Sequence, residues 1–130
     1  MTVTPLKHCY MCELDKPLDQ FNSKRKECRE CSKGIKLMSR YTMTQTEYDQ
    51  KLKDQNNRCL ICQKPESELG TLAQDHDHNC CPGPKSCGRC LRDLLCGFCN
   101  RALGAFEDDI ERIIRAAEYI KRHKKGVLEV

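Results

Sequence analysis

Two stretches of the chain carry apolar residues at helical spacing, and both come with start signals. In YTMTQTEYDQKLKDQNN, Thr44 followed by Glu47 has the form of a capping box, and Met43 with Tyr48 forms a hydrophobic staple around it. A helix over about Gln45 to Gln55 is predicted, with Leu52 continuing the buried stripe of Tyr48 and Asn56 and Asn57 ending it. Farther along, Ile110, Ile113, Ile114, Ala117 and Ile120 keep the helical period. Asp108 and Asp109 suit the positive end of that helix, and Lys121, Arg122, Lys124 and Lys125 its negative end. The pattern predicts a second helix over about Asp108 to Lys124, one that covers a core. No apolar run approaches the ~20 residues needed to cross a bilayer, so no membrane partner is expected.

Composition limits how large that core can be. Of 130 residues only 5% are aromatic, none is Trp, and the 38% hydrophobic fraction includes twelve cysteines. Something other than aliphatic burial must staple a small α+β fold of this kind. The opening MTVTPLKHC lacks a basic region followed by an apolar run, so the thiols read as reduced and the protein as cytoplasmic. Ten of the twelve fall into C-x2-C pairs: Cys9/Cys12, Cys28/Cys31, Cys59/Cys62, Cys87/Cys90 and Cys96/Cys99. Such a knuckle lets two thiolates bite one tetrahedral ion, which disulfide spacing would rarely reproduce five times.

Pairing the knuckles gives the organisation. Cys9, Cys12, Cys28 and Cys31, with fifteen residues between the two pairs, form one four-thiolate zinc site. Cys59, Cys62, Cys96 and Cys99 form a second, whose thirty-three-residue separation suits a β-hairpin carried between the halves. Cys80, Cys81, Cys87 and Cys90 lie in a Pro/Gly loop, where a third zinc, a disulfide or free thiols are the alternatives. The net charge of +4 conceals a local bias. Between Lys24 and Arg40 seven basic residues (Lys24, Arg25, Lys26, Arg29, Lys33, Lys36, Arg40) face two acidic ones, Glu27 and Glu30. Basic segments beside zinc knuckles point to a polyanion, most plainly nucleic acid.

The candidate chemistry sits inside the second unit, in LAQDHDHNCC and LLCGFCN. Asn100 directly follows Cys99 and is a poor zinc ligand, but its carbonyl oxygen and the Asp75 carboxylate suit a hard ion such as Mg2+. His76, left unligated, is then free to deprotonate water near neutral pH. Hard metal, free imidazole and basic surroundings together describe phosphodiester hydrolysis. In a regular strand Asp75 and His76 face opposite sides, so both serve one site only if the strand is irregular there. The plain alternative for the two histidines is a solvent-facing place on a hairpin.

The ordered set CLIC, DHDH and LLCGFCN followed by LG resembles the recombination endonuclease VII family, a branch of the HNH nucleases, over residues 59 to about 120. The resemblance implies a ββα-metal, treble-clef-like core with flanking helices and an N-terminal four-cysteine unit. It implies Asp75 and Asn100 as ligands of a catalytic Mg2+ or Mn2+ ion, His76 as general base and His78 as an assistant to the scissile phosphate. It also implies products with 5′-phosphate and 3′-hydroxyl ends. Two positions depart from the family pattern: a turn glycine is Asp93 here, whose side chain tolerates left-handed geometry, and a glutamate is Leu103.

The expected layout is a basic zinc-knuckle unit over 1–40, a connecting helix over 41–57, a nuclease core over 58–107, and an amphipathic helix with basic tail over 108–130. The expected function is a metal-dependent DNA endonuclease with two structural zinc ions, or three if the loop thiols also ligate. Its substrate would be double-stranded or branched DNA, a homodimer being open. The alternatives are a catalytically inactive zinc module that binds nucleic acid or protein, and, less in keeping with Asn100, a zinc hydrolase at DHDH.

Overall fold

The computed structural model describes residues 3–124; Lys125 of the basic tail lies outside the described residues. Two small units built on one plan follow each other. In the first, β1 (Leu6–His8) pairs antiparallel with β2 (Asp15–Pro17), His8 opposite Asp15. The Cys9 knuckle closes by Cys9 N–H to Leu14 O and Glu13 N–H to Cys9 O, with Glu13 in the left-handed region at φ 56°. Cys28 then caps the N-terminus of α1 (Arg29–Tyr41).

The second unit repeats this arrangement. Cys59 N–H bonds to Lys64 O and Gln63 N–H to Cys59 O, with Gln63 at φ 62°. After the short helix α3 (Glu66–Leu69), β3 (Ala73–His76) and β4 (Leu91–Leu95) pair antiparallel, and Cys96 caps α4 (Gly97–Ala105). Residues 73–105 are thus a strand, a strand and a helix in order, the small α+β core that the sequence suggests.

In both units cysteine supplies the interior. The first core is Cys9, Phe21 and Cys28 with Cys12 and Cys31 at its edge. The second is larger: Met43, Tyr48, Leu72, Leu94 and Leu95 join Cys59 and Cys96. So few aliphatic groups cannot by themselves outweigh the chain entropy of ordering, and the sulfur clusters must contribute.

Helix α2 (Gln45–Asp54) forms as its caps dictate: Thr44 Oγ1 accepts from Glu47 N–H at 3.2 Å while Glu47 Oε2 accepts from Thr44 N–H at 2.8 Å. Met43 and Tyr48, the staple pair, are both buried, and Asn56 and Asn57 end the element at φ 54° and 57°. Just past α2, Gln55 covers the outer edge of β4, donating to Leu94 O and accepting from Leu94 N–H, both at 2.9 Å. A two-stranded sheet has two bare edges, and this side chain replaces a missing strand on one of them.

Helix α1 was not foreseen as a helix. Arg29, Lys33, Lys36 and Arg40 recur at helical spacing along its exposed side, so the basic segment is one face of an ordered element. Leu37 and Tyr41 on another side pack against the second core and tie the two units together.

The last helix corrects an expectation. α5 (Ile110–His123) begins on Asp109, whose carboxylate accepts from Arg112 N–H, but it does not cover the core. No residue of it is buried; Ile110 is 71% exposed and Ile120 58%. Periodicity foretells an apolar stripe and not what lies against it. Among the described residues, no helix is long and apolar enough to cross a membrane.

Candidate active site

The hairpin β3/β4 is irregular at the residues that carry chemistry. Gln74 pairs with Leu94, but His76 pairs with Leu91, so Arg92 and Asp93 together oppose Asp75. An extra residue of this kind is a β-bulge, which re-aims side chains that regular alternation would send to opposite faces. Gln74, Asp75 and His76 are consecutively buried. Gln74 pins the irregularity: its Nε2 donates to Asp75 O at 2.6 Å and Arg92 O at 2.7 Å, and Lys51 Nζ donates to Gln74 Oε1 and Arg92 O. Asp93 is a strand residue without a positive φ, so the left-handed turn expected there does not occur.

Asp75 is 3% exposed and its two oxygens have different surroundings. Oδ2 accepts from Arg92 Nε at 2.6 Å. Oδ1 is buried and has no hydrogen-bond partner. A carboxylate oxygen withdrawn from water without a donor is costly, by about 1–3 kcal/mol, and calls for a cation or water. The site therefore fits a hard divalent ion at Oδ1. Arg92 also reaches both oxygens of Asp108 at 3.2 Å from Nη2, and these bonds, Asp75's foremost, hold its guanidinium well above its ordinary pKa.

His76 is equally buried, and its Nε2 lies 3.1 Å from Cys81 O and 3.0 Å from Gly83 O. Carbonyl oxygens only accept, so Nε2 carries a proton, and in a neutral ring the lone pair then falls on Nδ1. His78 is exposed, with its ring centroid 4.5 Å from that of His76 and its Nδ1 3.4 Å from Asp108 Oδ2. Asn100 is half-buried on α4, its N–H bonded to Cys96 O, and α4 packs against β3. The departing residue Leu103 packs against the second core. Arg92 and Gln74 were given no site role from sequence and Asp108 only a place at a helix end; the register of β4 on β3 brings Arg92 to Asp75, and Arg92 in turn reaches Asp108.

The twelve thiols gather into three clusters: Cys9, Cys12, Cys28 and Cys31; Cys59, Cys62, Cys96 and Cys99; Cys80, Cys81, Cys87 and Cys90. Within each, all sulfurs lie within 4.8 Å of one another, and none forms a disulfide. Tetrahedral zinc with Zn–S of about 2.3 Å sets sulfurs ~3.8 Å apart. Cys9 and Cys31 are 3.8 Å apart and Cys62 and Cys96 3.9 Å, so both knuckle pairs fit that ion. Backbone amides lower at least one thiol in each of these clusters, whereas burial, foremost, pushes Cys31 and Cys99 up to about 12. The N–H of Cys12, foremost, brings Cys9 down to about 6. Burial would push Cys59 up, but the N–H groups of Cys96, Cys62 and Ile61 outweigh it and bring it to about 6.

Comparison with known proteins bears on the same residues. A sequence model described as recombination endonuclease VII matches residues 34–122. The Gene 59 protein of Mycobacterium phage L5 is 36% identical over 86 residues, covering 65% of this chain and 48% of the relative. That of Mycobacterium phage D29 is 33% identical over 88 residues, covering 67% and 48%. The chain thus spans about half the length of the curated relatives it matches. Among solved structures, the beta-beta-alpha-Me type II restriction endonuclease Hpy99I is similar at 26% identity with a TM-score of 0.40, covering 92% of this chain and 66% of that one.

Proposed function

The chain belongs to the recombination endonuclease VII family, and from that premise we propose that it is a metal-dependent DNA endonuclease of the HNH type. The observation that carries this reading is the pairing of a buried, unpartnered Asp75 Oδ1 with an adjacent histidine whose Nε2 is held by two carbonyls. A silent zinc module has use for its thiolates and cations but none for that arrangement.

His76 acts as general base. Its Nδ1 takes a proton from water, the hydroxide attacks the scissile phosphorus, and the imidazolium that forms keeps its Nε2–H on Cys81 O and Gly83 O. His78 beside it assists at the scissile phosphate, with Asp108 orienting its ring. Asp75 Oδ1 and the Asn100 amide oxygen hold Mg2+ or Mn2+, which supplies charge to steady the leaving 3′ oxygen. The products carry 5′-phosphate and 3′-hydroxyl ends. Arg92 keeps Asp75 aimed.

Zinc at the two knuckle pairs supplies folding energy. The cations of α1 and the end of α5 hold the backbone of double-stranded or branched DNA. The protein works as a homodimer through the apolar stripe of α5. That helix starts acidic at Asp109 and Glu111 and ends basic at Lys121 and Arg122, so two antiparallel copies are complementary. The phage source of the curated relatives supports action inside an infected cell.

Zinc-loaded wild type, Asp75→Asn and Asn100→Ala are compared on supercoiled plasmid and on branched DNA with Mg2+ or Mn2+, alongside Mn2+ binding. Both variants should lose cleavage and bind Mn2+ more weakly. Wild-type cleavage by either variant removes that residue from the site, and no cleavage of any DNA by wild type favours the binding module.

A further inference from the structure

The loop joining β3 to β4 contains the third sulfur cluster, and the same loop supplies both acceptors of His76. Cys80 and Cys87 are 3.9 Å apart, Cys87 and Cys90 4.0 Å, and Cys87 N–H donates to Cys81 Sγ at 3.3 Å. These separations match the spacing of about 3.8 Å that four thiolates take around one tetrahedral zinc.

Apolar burial does not hold the loop's shape. Pro82, Gly83, Pro84 and Lys85 are exposed, and Ser86 alone is buried. No residue of the loop belongs to either hydrophobic core. Its ends are tied: Cys80 and Cys81 N–H groups bond to Asp77 O, and Asp77 N–H bonds to Cys90 O. Its far side is anchored to α1 by Ser86 N–H to Arg40 O at 2.6 Å and by Gly88, at φ 88°, where a Cβ would come within 2.9 Å of Thr42 Cβ. Between these ties the path of residues 81–83, which present the Cys81 and Gly83 carbonyls, depends on the cluster.

We propose that Cys80, Cys81, Cys87 and Cys90 bind a third zinc ion, and that this clip is a positioning device that holds His76 as its Nε2–H tautomer. One of the two acceptors is the carbonyl of a ligand, Cys81, so the metal is a single residue removed from the histidine ring. Without zinc the two carbonyls no longer hold a fixed place, the ring loses its bias, and Nδ1 stops being the dependable proton acceptor. DNA binding, which rests on α1 and α5, is untouched. The consequence for catalysis rests on the reading of His76 as general base; the consequence for metal content and tautomer does not.

The test uses the full chain. Cys87→Ser/Cys90→Ser should hold two zinc ions where the wild type holds three. Long-range 15N–1H spectra should show His76 as the Nε2–H form in wild type and as a tautomer mixture in the variant. Its kcat should fall about 10- to 100-fold, as when outer groups that orient a site histidine are lost, with the DNA Kd within about twofold. Cys90→His, which still ligates, should restore the metal, the tautomer and the rate. Stepwise chelation of wild type covers the case of a variant that fails to fold. Cys80 and Cys87 are exposed whereas Cys9, Cys28, Cys59 and Cys96 are buried, so the clip zinc should leave first and the tautomer signal should change before the fold is lost. An unchanged zinc count, or a two-zinc protein that keeps the Nε2–H form, overturns the proposal. If His76→Ala cleaves normally the base assignment falls, while the metal count and tautomer still decide the clip.

Discussion

Arg92 donates from Nε to Asp75 Oδ2 at 2.6 Å and leaves Oδ1 of the same buried carboxylate unpartnered. The carboxylate is thus half neutralised by the protein, and its other half is available to a cation. Arg92→Ala should destabilise the zinc-loaded protein by about 2 kcal/mol, toward the lower part of the range for unpairing a buried charge because Arg92 is partly exposed. Mg2+ should recover part of that loss if it engages Asp75. Urea unfolding with and without Mg2+ checks both; equal stability of variant and wild type would show that the pair does not support Asp75.

Tyr48 ties α2 to the approach of β3, donating from Oη to Leu72 O at 2.5 Å. Burial, foremost, with the nearby carboxylates of Glu66 and Asp49, pushes its phenol up to about 12. A pKa raised in the folded state stabilises the fold fully below the unfolded value of about 10, and that contribution is lost as pH rises through 12. Of the four tyrosines, one should therefore titrate late in ultraviolet difference spectra, and Tyr48→Phe should remove that step. A late step that survives in Tyr48→Phe contradicts the assignment.

The exposed stripe of α5 makes an assembly prediction. Wild type should sediment as a dimer at micromolar concentration, and Ile114→Glu/Ile120→Glu as a monomer with unchanged zinc content. A monomeric wild type would leave the stripe without a second copy to cover it.

How much of this was legible in the sequence depends on whether the signal is local. The capping box at Thr44 and Glu47, and the C-x2-C pairs, involve neighbours only, and both formed as read. Helix α1 escaped because its repeating feature is charge, it carries Gly34 inside, and it ends on Thr42 at φ 54° in place of a glycine. The bulge opposite Asp75 was foreshadowed only as a requirement, since alternation alone sends Asp75 and His76 to opposite faces. Arg92 could not be placed at all without the register of β4 on β3. The exposure of α5 was misjudged because an apolar stripe looks the same against a core or a partner.

Single-turnover cleavage of supercoiled plasmid in Mg2+, comparing wild type with His76→Ala at equal zinc loading and equal DNA binding, tests the hydrolytic centre most directly. Loss of general-base catalysis should slow the variant by about 100- to 10,000-fold. Equal rates for the two proteins would contradict the assignment of His76 as the base.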